Sequence, residues 1–265
     1  MTLGELTVHT GALPVQFEAP PENPSPQGLW AATKWQEDDG PSRFLISGVD
    51  IRVHNFGGDD AFGVWDAGWC VSPDDLTGDD FKDGARPVNP ATFDPITVWS
   101  YDECDLTAPS RAEVKARALQ NLKMREQVAT ERELSARLLA DSPNLTNTAS
   151  FGWAIGQLEA ELAKDGVLGL IHLGAQWAAV AAQSQLIRWN GAKLTSPLGH
   201  QYVFGGGYVE GLGNTLVATS QTYGWRDAPR LLDAIKTETN RYVAIAERSL
   251  VVGYESAVAS IEITS

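Results

Sequence analysis

The chain has 265 residues, of which 43% are hydrophobic and 20% are charged. This composition excludes an intrinsically disordered protein and predicts a globular chain with a substantial core. The formal net charge of −14 lies entirely in residues 1–105, with 19 acidic and 5 basic side chains, because residues 106–265 hold 15 of each. Such a protein has no general electrostatic attraction for phosphate backbones.

The first 43 residues predict an extended arm. The stretch EAPPENPSPQG contains four prolines, and proline fixes the backbone and removes a hydrogen-bond donor. An arm of this kind gains little from a core of its own. We therefore expect it to lie on another surface.

Residues 44–70 predict a β-hairpin. Ile51 and Val53 alternate with polar residues, FGGDDA suits a turn, and FGVWDAGWC would form the returning strand. Residues 71–91 are acidic and rich in turn formers, and TFDPITVWSYDEC predicts a further strand. Because a two-stranded ribbon is marginally stable in water, this one needs support from another surface.

The clearest element is a long helix from Ser110 to Ala140. Ser110 and Glu113 have the spacing of a capping box that would follow Pro109, and Pro143 prevents continuation. Seven basic and four acidic residues lie in this stretch, so it is positively charged.

An α/β unit follows the long helix. FGWAIGQLEAELAKDG predicts an amphipathic helix ending at Gly166, VLGLIHL a buried strand, and GAQWAAVAAQS a second helix. LIRWNGAKLTSPLGHQYVFGGGY predicts three short strands, and NTLVATSQTYGW a single strand. The C-terminal stretch predicts three more strands, with a turn at Thr239–Asn240.

His172, at the end of the apolar run VLGLIHL, is the first residue to consider for catalysis. No Gly-x-Ser-x-Gly nucleophile motif is present, and no acidic residue adjoins His172 in sequence. We therefore interpret it as a strand-end residue that is hydrogen-bonded to backbone. FGGGY is interpreted as a turn or flexible loop, since it lacks a nucleotide-binding pattern.

No other motif predicts an enzyme, a cofactor site or a metal site. The acidic loop DDLTGDDFKD lacks EF-hand spacing. Cys70 and Cys104 are too few for a disulfide framework and lack CxxC spacing. We interpret them as free thiols, with a single bridge between them as the alternative. No apolar run is long enough to span a membrane, and the N-terminus lacks a signal-peptide pattern.

The order of elements resembles the Hong-Kong-97-type major capsid proteins of tailed phages, especially those that infect actinobacteria. AEVKARALQNLKMREQVATERELSARLLA resembles the spine helix of that family. WAIGQLEAELAKDGVLGLIHLGAQWAAVAAQ is similar to the first helix, strand and second helix of its axial domain. AKLTSPLGHQYVFGGGY and RYVAIAERSLVVGYESAVASIEI resemble later strands.

The resemblance implies an α+β fold in five parts. These are an N-terminal arm (1–43), an extended β-ribbon loop (44–105), a spine helix with the peripheral domain (106–148), an α/β axial domain (149–228), and the strands that complete the peripheral domain with a return strand (229–265). In that family the arm and the loop cross onto neighbouring subunits. We therefore predict intersubunit contacts at Trp65, Trp69, Phe62 and Trp30.

The implied function is that of a structural, non-enzymatic shell subunit. Pentamers and hexamers of it would form an icosahedral phage capsid that encloses double-stranded DNA without binding it specifically. The implied partners are further copies of the chain, a separate scaffolding protein, a portal and a decoration protein. Assembly would take place in the host cytoplasm, and the product would be the virion capsid.

Three alternatives remain open from the sequence. The same fold serves encapsulin-like compartments that enclose an enzyme cargo. A small hydrolase using His172 belongs to a different class. The third alternative is another virion component, such as a tail-tube or head-completion protein, although those are usually shorter and lack a long helix between ribbon and α/β unit.

Overall fold

The computed structural model describes residue 15, residues 17–38 and residues 43–264. Residues 1–14, 16 and 39–42 of the predicted arm therefore lie outside the described residues. Six helices are assigned in the described part: α1 Leu29–Ala32, α2 Phe44–Ser47, α3 Ala108–Asp141, α4 Phe151–Lys164, α5 Trp177–Gln183 and α6 Tyr208–Gly211. The strands there are β1 Lys34–Asp38, β2 Ile96–Cys104, β3 Leu170–Gly174, β4 Arg188–Asn190, β5 Lys193–Thr195, β6 Gln201–Gly205, β7 Thr215–Thr219, β8 Thr222–Asp227, β9 Arg230–Lys236, β10 Arg241–Tyr254 and β11 Ala257–Glu262.

These strands form two sheets, which agrees with the predicted α+β class. The first sheet has the order β1-β8-β10-β2, with β9 also paired to β10. The second has the order β11-β7-β3-β6-β5-β4. There are two apolar cores. The first lies between α3 and the first sheet and also includes Leu170, Val203 and Val217 of the second sheet. The second lies between the second sheet and the helices α4 and α5.

The long helix is confirmed, and its start differs from the prediction. α3 has 34 residues, so its axis is about 51 Å long. The helix begins at Ala108 with Pro109 in its first turn, a position that proline tolerates because its missing N–H would be unbonded there anyway. Thr107 is the N-cap, and Asp105 accepts hydrogen bonds from its backbone N–H (2.8 Å) and hydroxyl (2.7 Å). The predicted capping box at Ser110 is therefore wrong.

The predicted β-ribbon is also wrong at the level of secondary structure. Residues 50–92, all of which the structure describes, contain no strand and only three short 3-10 turns. Backbone N–H groups that a hairpin would use are bound by side chains instead. Asn89 Oδ1 accepts from Val53 N (2.9 Å), and Glu255 Oε1 accepts from His54 N (2.5 Å) and Asn55 N (2.9 Å). Alternation over so few residues does not fix a strand against such competition.

The remaining strands largely follow the prediction, with one division. The stretch NTLVATSQTYGW, predicted as a single strand, forms two strands, β7 and β8, which belong to different sheets. β8 lies in the first sheet, although residues 149–228 were assigned to the axial domain. β11 lies in the second sheet, although residues 229–265 were assigned to the peripheral part. The chain therefore crosses between the two sheets after β7 and again after β10.

The described part of the arm lies along α3 of its own subunit. Gln120 Nε2 donates to Glu22 O (2.7 Å), Lys123 Nζ to Asn23 Oδ1 (2.8 Å), and Gln127 Nε2 to Gln27 O (2.8 Å). Positions 120, 123, 127 and 131 share one face of a helix. The expectation that the arm lies on another surface therefore holds for this part, but that surface belongs to the same chain.

Candidate functional site

The long loop between α2 and β2 ends in a compact lobe, residues 56–87, which we call the loop lobe. Trp65 lies at its centre. The indole Nε1 of Trp65 donates to Asp80 O (2.8 Å), Lys82 Nζ lies 4.3 Å from a Trp65 ring centroid, and the Trp69 ring packs edge-on at 5.3 Å. Trp65 therefore holds the lobe together from inside.

A close backbone approach closes the loop lobe. Ala85 N donates to Asp60 O (3.2 Å). A Cβ atom placed on Gly84 would lie 2.1 Å from Asp60 O, which is far inside van der Waals contact. Only glycine fits at this crossing, so Gly84 fixes the shape of the lobe.

The surface of the loop lobe exposes large apolar side chains. Phe62 is 82% exposed and Trp69 is 90% exposed; Val64 and Phe81 are also exposed. Nine aspartates and three Lys or Arg in residues 50–92 give this loop a net charge of −6. Several large apolar groups on one acidic projection are typical of a surface that binds another molecule.

The four predicted contact residues separate into two groups. Phe62, Trp65 and Trp69 lie together in the loop lobe. Trp30 lies in α1, which precedes the loop lobe in the sequence. Its ring packs edge-on against Trp35 at 4.7 Å and against the first core. Trp30 is therefore partly buried against its own subunit, and a contact with a neighbouring subunit at this residue stays a prediction.

The base of the loop is fixed to the end of β10 by Glu255. Its carboxylate accepts from the backbone N–H groups of His54 and Asn55 and from Asn55 Nδ2 (2.7 Å). Burial raises the pKa of Glu255, but the hydrogen bonds from Asn55 and His54 outweigh it and hold that pKa below its ordinary value. The ionised carboxylate is thus the form that anchors the loop.

Arg137 of α3 fixes the other side of the loop base. Its guanidinium donates to Thr92 O (3.0 Å) and Ala91 O (2.7 Å), and its Nε pairs with Asp141 at 2.5 Å. The same group lies 4.4 Å from the Phe93 ring centroid. The direction in which the loop leaves the body is therefore set by α3 and β10 together.

A buried carboxylate joins the arm, α3 and the second sheet. Glu131 is 0% exposed, and it accepts from Leu29 N (2.9 Å) and Gly207 N (2.9 Å). Burial raises the pKa of Glu131 above its ordinary value, against the opposing effect of these backbone donors. We call Glu131 with these two donors the arm junction.

The glycine-rich stretch FGGGY is the turn at this junction. A Cβ atom on Gly207 would lie 2.1 Å from Val128 O of α3, so the turn packs directly against the helix backbone. The predicted turn is present at Gly206 and Gly207, between the end of β6 and the start of α6, and the glycines serve close packing.

His172 does not occupy a catalytic position. It lies in the middle of β3 with 0% exposure, and its Nδ1 and Nε2 are hydrogen-bonded to Tyr208 Oη (3.0 Å) and Thr219 Oγ1 (2.8 Å). The predicted backbone partner is therefore wrong, since both partners are side chains. Burial lowers the pKa of His172 from 6.5 to about 3, so the ring is neutral.

A second group of Ser, His and acid side chains also lacks catalytic geometry. Ser196 Oγ donates to Glu159 Oε1 (2.5 Å), not to a histidine. His200 Nδ1 accepts from Gly169 N (3.1 Å). Ser196, Glu159 and His200 are all buried, so these bonds fix the turn before β6.

Three further features bear on the predicted chemistry. Cys70 and Cys104 are both free cysteines in the structure. Within the described ranges, no group of three or more His, Cys, Asp or Glu side chains is arranged to hold a metal ion. None of the helices in the same ranges combines the length and hydrophobicity needed to cross a bilayer.

Comparison with known proteins finds similarity in structure alone. No protein-family model matches the chain, and the curated proteins give no match. The capsid protein of a native GTA particle is 8% identical, with a TM-score of 0.57 and coverage of 96% of both chains. The virus-like particle protein of Pyrococcus furiosus is 9% identical, with a TM-score of 0.53 and coverage of 90% of this chain and 92% of the other.

A third similar structure is the mature capsid of bacteriophage PhiM1. It is 12% identical, with a TM-score of 0.50 and coverage of 98% of this chain and 92% of that chain. At such low identity these similarities establish a shared fold. They extend over nearly the whole of each chain.

Proposed function

We propose that this chain, which has the Hong-Kong-97-type capsid fold predicted from its sequence, is the shell subunit of an icosahedral phage capsid. Copies of it form pentamers and hexamers, and the shell encloses double-stranded DNA. A separate scaffolding protein, a portal and a decoration protein complete the set of partners. Assembly takes place in the host cytoplasm, and the finished protein resides in the virion.

The observation that carries this proposal is the loop lobe. Phe62 and Trp69 stand on a projection that is fixed at its base by Glu255 and Arg137. In a monomer, exposed apolar side chains on the loop lobe contribute no hydrophobic free energy to stability, because they stay in contact with water. A second copy that covers them gains buried apolar area at about 25 cal/mol per Å². Trp65 organises the lobe, and Phe62 and Trp69 make the contact.

We expect the Phe62→Ala/Trp69→Ala variant to lose shell assembly. Truncating a well-packed interface aromatic costs about 2 kcal/mol or more, which is about 30-fold in an association constant, and a shell repeats the contact many times. Electron microscopy and sedimentation velocity of the expressed protein measure the yield of particles. Wild-type protein expressed together with its neighbouring genes should form closed shells, and the variant is compared with it under the same conditions.

Two controls make the assembly result specific. Trp69→Phe keeps a large aromatic side chain and should assemble. Trp65→Ala removes the bond to Asp80 O and should also reduce assembly, by loosening the lobe. A double variant that assembles with wild-type yield and heat resistance would show that the lobe is not an interface. A wild-type protein that stays monomeric under all conditions would contradict the shell function itself.

We expect the isolated subunit to bind duplex DNA weakly, because its net charge is −14 and the excess lies on the arm and the loop. Neutralising several phosphates would give an affinity that falls steeply with salt. Fluorescence anisotropy with a DNA duplex at low and at moderate salt measures this. Sub-micromolar binding with a steep salt slope would contradict a shell that encloses DNA passively.

The encapsulin-like compartment remains the second candidate, since the fold serves it equally well. The contents of purified particles separate the two functions. Nuclease-protected double-stranded DNA in particles made with the neighbouring genes supports the capsid, whereas one co-purifying enzyme supports the compartment. A hydrolase acting through His172 has no support from the geometry, because that imidazole is fully buried.

A further inference from the structure

The loop lobe contains an open cleft between residues 57–65 and residues 78–87. The cleft has a volume of about 830 Å³, and the aromatic side chains of Phe62, Trp65 and Phe81 line it. Trp65 is half-buried, whereas Phe62 and Phe81 are exposed. Grooves lined by aromatic rings are surfaces on which proline-rich segments dock in the polyproline II conformation.

The cleft differs in charge from the rest of the loop lobe. Residues 56–87 contain eight aspartates and two basic side chains, and both basic ones, Lys82 and Arg86, line the cleft together with a single aspartate, Asp83. Lys82 Nζ lies 4.3 Å from a Trp65 ring centroid, so one cation is held against the aromatic lining. Arg86 is exposed. The cleft therefore suits a segment that carries carboxylates beside prolines.

Residues 17–22 of the arm, which we call the arm segment, have this composition. Their sequence FEAPPE combines two adjacent prolines with two glutamates. All of these residues are exposed and form neither helix nor strand, and Phe17 is 85% exposed. Because Pro20 and Pro21 fix φ and favour polyproline II backbone, the segment loses little further entropy when it binds.

The arm segment and the cleft of one subunit do not cover each other, because both are exposed in it. Gln120 holds Glu22 and Arg137 holds the base of the loop, so these two anchor points lie about 25 Å apart along α3. The arm segment spans about 18 Å at most. It therefore falls short of the loop base of its own chain, and contact with a cleft requires a second copy.

We propose that the arm segment of one copy binds in the loop-lobe cleft of a second copy as a polyproline II segment. Its prolines pack on the aromatic side chains, and its glutamates pair with Lys82 and Arg86. The inference rests on the proposed shell function, and it names the part of the second copy that covers Phe62. The net negative charges of arm and lobe repel each other at longer range, and salt screens that repulsion beyond about 8 Å at physiological ionic strength.

A charge exchange tests the predicted pairing. Arg86→Glu should lower the yield of shells, because replacing an ion pair by a like-charge pair weakens the association constant of each contact by about fivefold. Adding Glu18→Arg/Glu22→Arg to the same chain should restore the yield, whereas these two substitutions alone should lower it. An equal deficit of Arg86→Glu with and without the exchange would overturn the pairing.

Disulfide cross-linking in co-assembled shells tests the position of the arm segment. Two single-cysteine variants are made in the Cys70→Ser/Cys104→Ser protein: Ala19→Cys in the arm segment and Ala85→Cys in the cleft. They are expressed together with the neighbouring genes and should form closed shells. Oxidation should then link one chain of each kind into a dimer on a non-reducing gel, because the arm segment of one copy lies in the cleft of another.

Ser72→Cys replaces Ala85→Cys in the matched control, because Ser72 is exposed on the same lobe and does not line the cleft. The linked dimer should be absent there. Closed shells without a linked dimer from Ala19→Cys and Ala85→Cys would overturn the arm contact and leave the shell function intact. Equal linkage to Ser72→Cys would overturn the cleft as the binding site. A wild-type protein that forms no shells under the same conditions would contradict the shell function, and the arm contact with it.

Discussion

Glu131→Ala should destabilise the subunit by about 2–6 kcal/mol, because two buried backbone donors, Leu29 N and Gly207 N, lose their acceptor at about 1–3 kcal/mol each. The carboxylate is 0% exposed, so water does not replace it without opening the packing. Urea unfolding at pH 7, followed by circular dichroism, measures the change. Limited proteolysis should cut the arm near Lys34 sooner in this variant than in the wild type.

Glu133→Ala is the matched control, because Glu133 is an exposed glutamate on the same helix. It should change the free energy of unfolding by less than about 0.5 kcal/mol. Glu131→Gln keeps one oxygen acceptor, so it should be less destabilising than Glu131→Ala. An alanine variant as stable as the wild type would show that the arm junction does not hold the arm and the turn at FGGGY together.

Local signals in the sequence predicted the elements that depend on local interactions. α3 was predicted because apolar and polar residues alternate at helical spacing and Pro143 follows it. β3, α4 and α5 were predicted for similar reasons. The helix starts two residues before the predicted Ser110 because Pro109 fits its first turn and Thr107, which is bonded to Asp105, is the N-cap.

The loop shows why the other elements were not predictable. The alternation around Ile51 and Val53 is typical of a strand, but the backbone donors of residues 53–55 are bound by Asn89 and by Glu255, which is 200 residues away from Asn55. The arm junction is also long-range, since Leu29 and Glu131 are 102 residues apart. A single sequence gives no signal for such pairs. A polar residue on the apolar side of α3, such as Glu131, is the one clue that could have been followed.

Only part of the candidate site was predictable, because the exposure of each aromatic residue depends on long-range contacts. FGVWDAGWC is conspicuous because large aromatics lie in a stretch without a core of its own, and two of the predicted residues, Phe62 and Trp69, are exposed on the loop lobe. Trp65 and Trp30 are equally conspicuous in the sequence, but a hydrogen bond from Trp65 and ring packing on Trp30 leave both of them half-buried. Sequence identifies aromatic residues, and only tertiary contacts decide which of them remain exposed.

Acid should weaken the wild-type subunit through His172. Burial holds the pKa of His172 at about 3 in the folded chain, against 6.5 ordinarily. Between these values the unfolded chain binds a proton that the folded chain does not, so stability is lost as the pH falls below 6.5. For this single group, the loss between pH 7 and pH 5 is about 2 kcal/mol. Urea unfolding at the two pH values measures it.

His172→Gln removes this titration while keeping a polar side chain that can bond to Tyr208 and Thr219. The variant should be less stable than the wild type at pH 7, because the packing around the ring changes, but it should lose about 2 kcal/mol less between pH 7 and pH 5. His54→Gln changes an exposed imidazole and should keep the full wild-type dependence. His200 is also buried and contributes in the same direction, and its contribution cancels because it is present in every protein compared. An equal loss in the wild type and in His172→Gln would mean that the imidazole accepts a proton within the folded core, so that β3 and α6 must separate far enough for water to reach it.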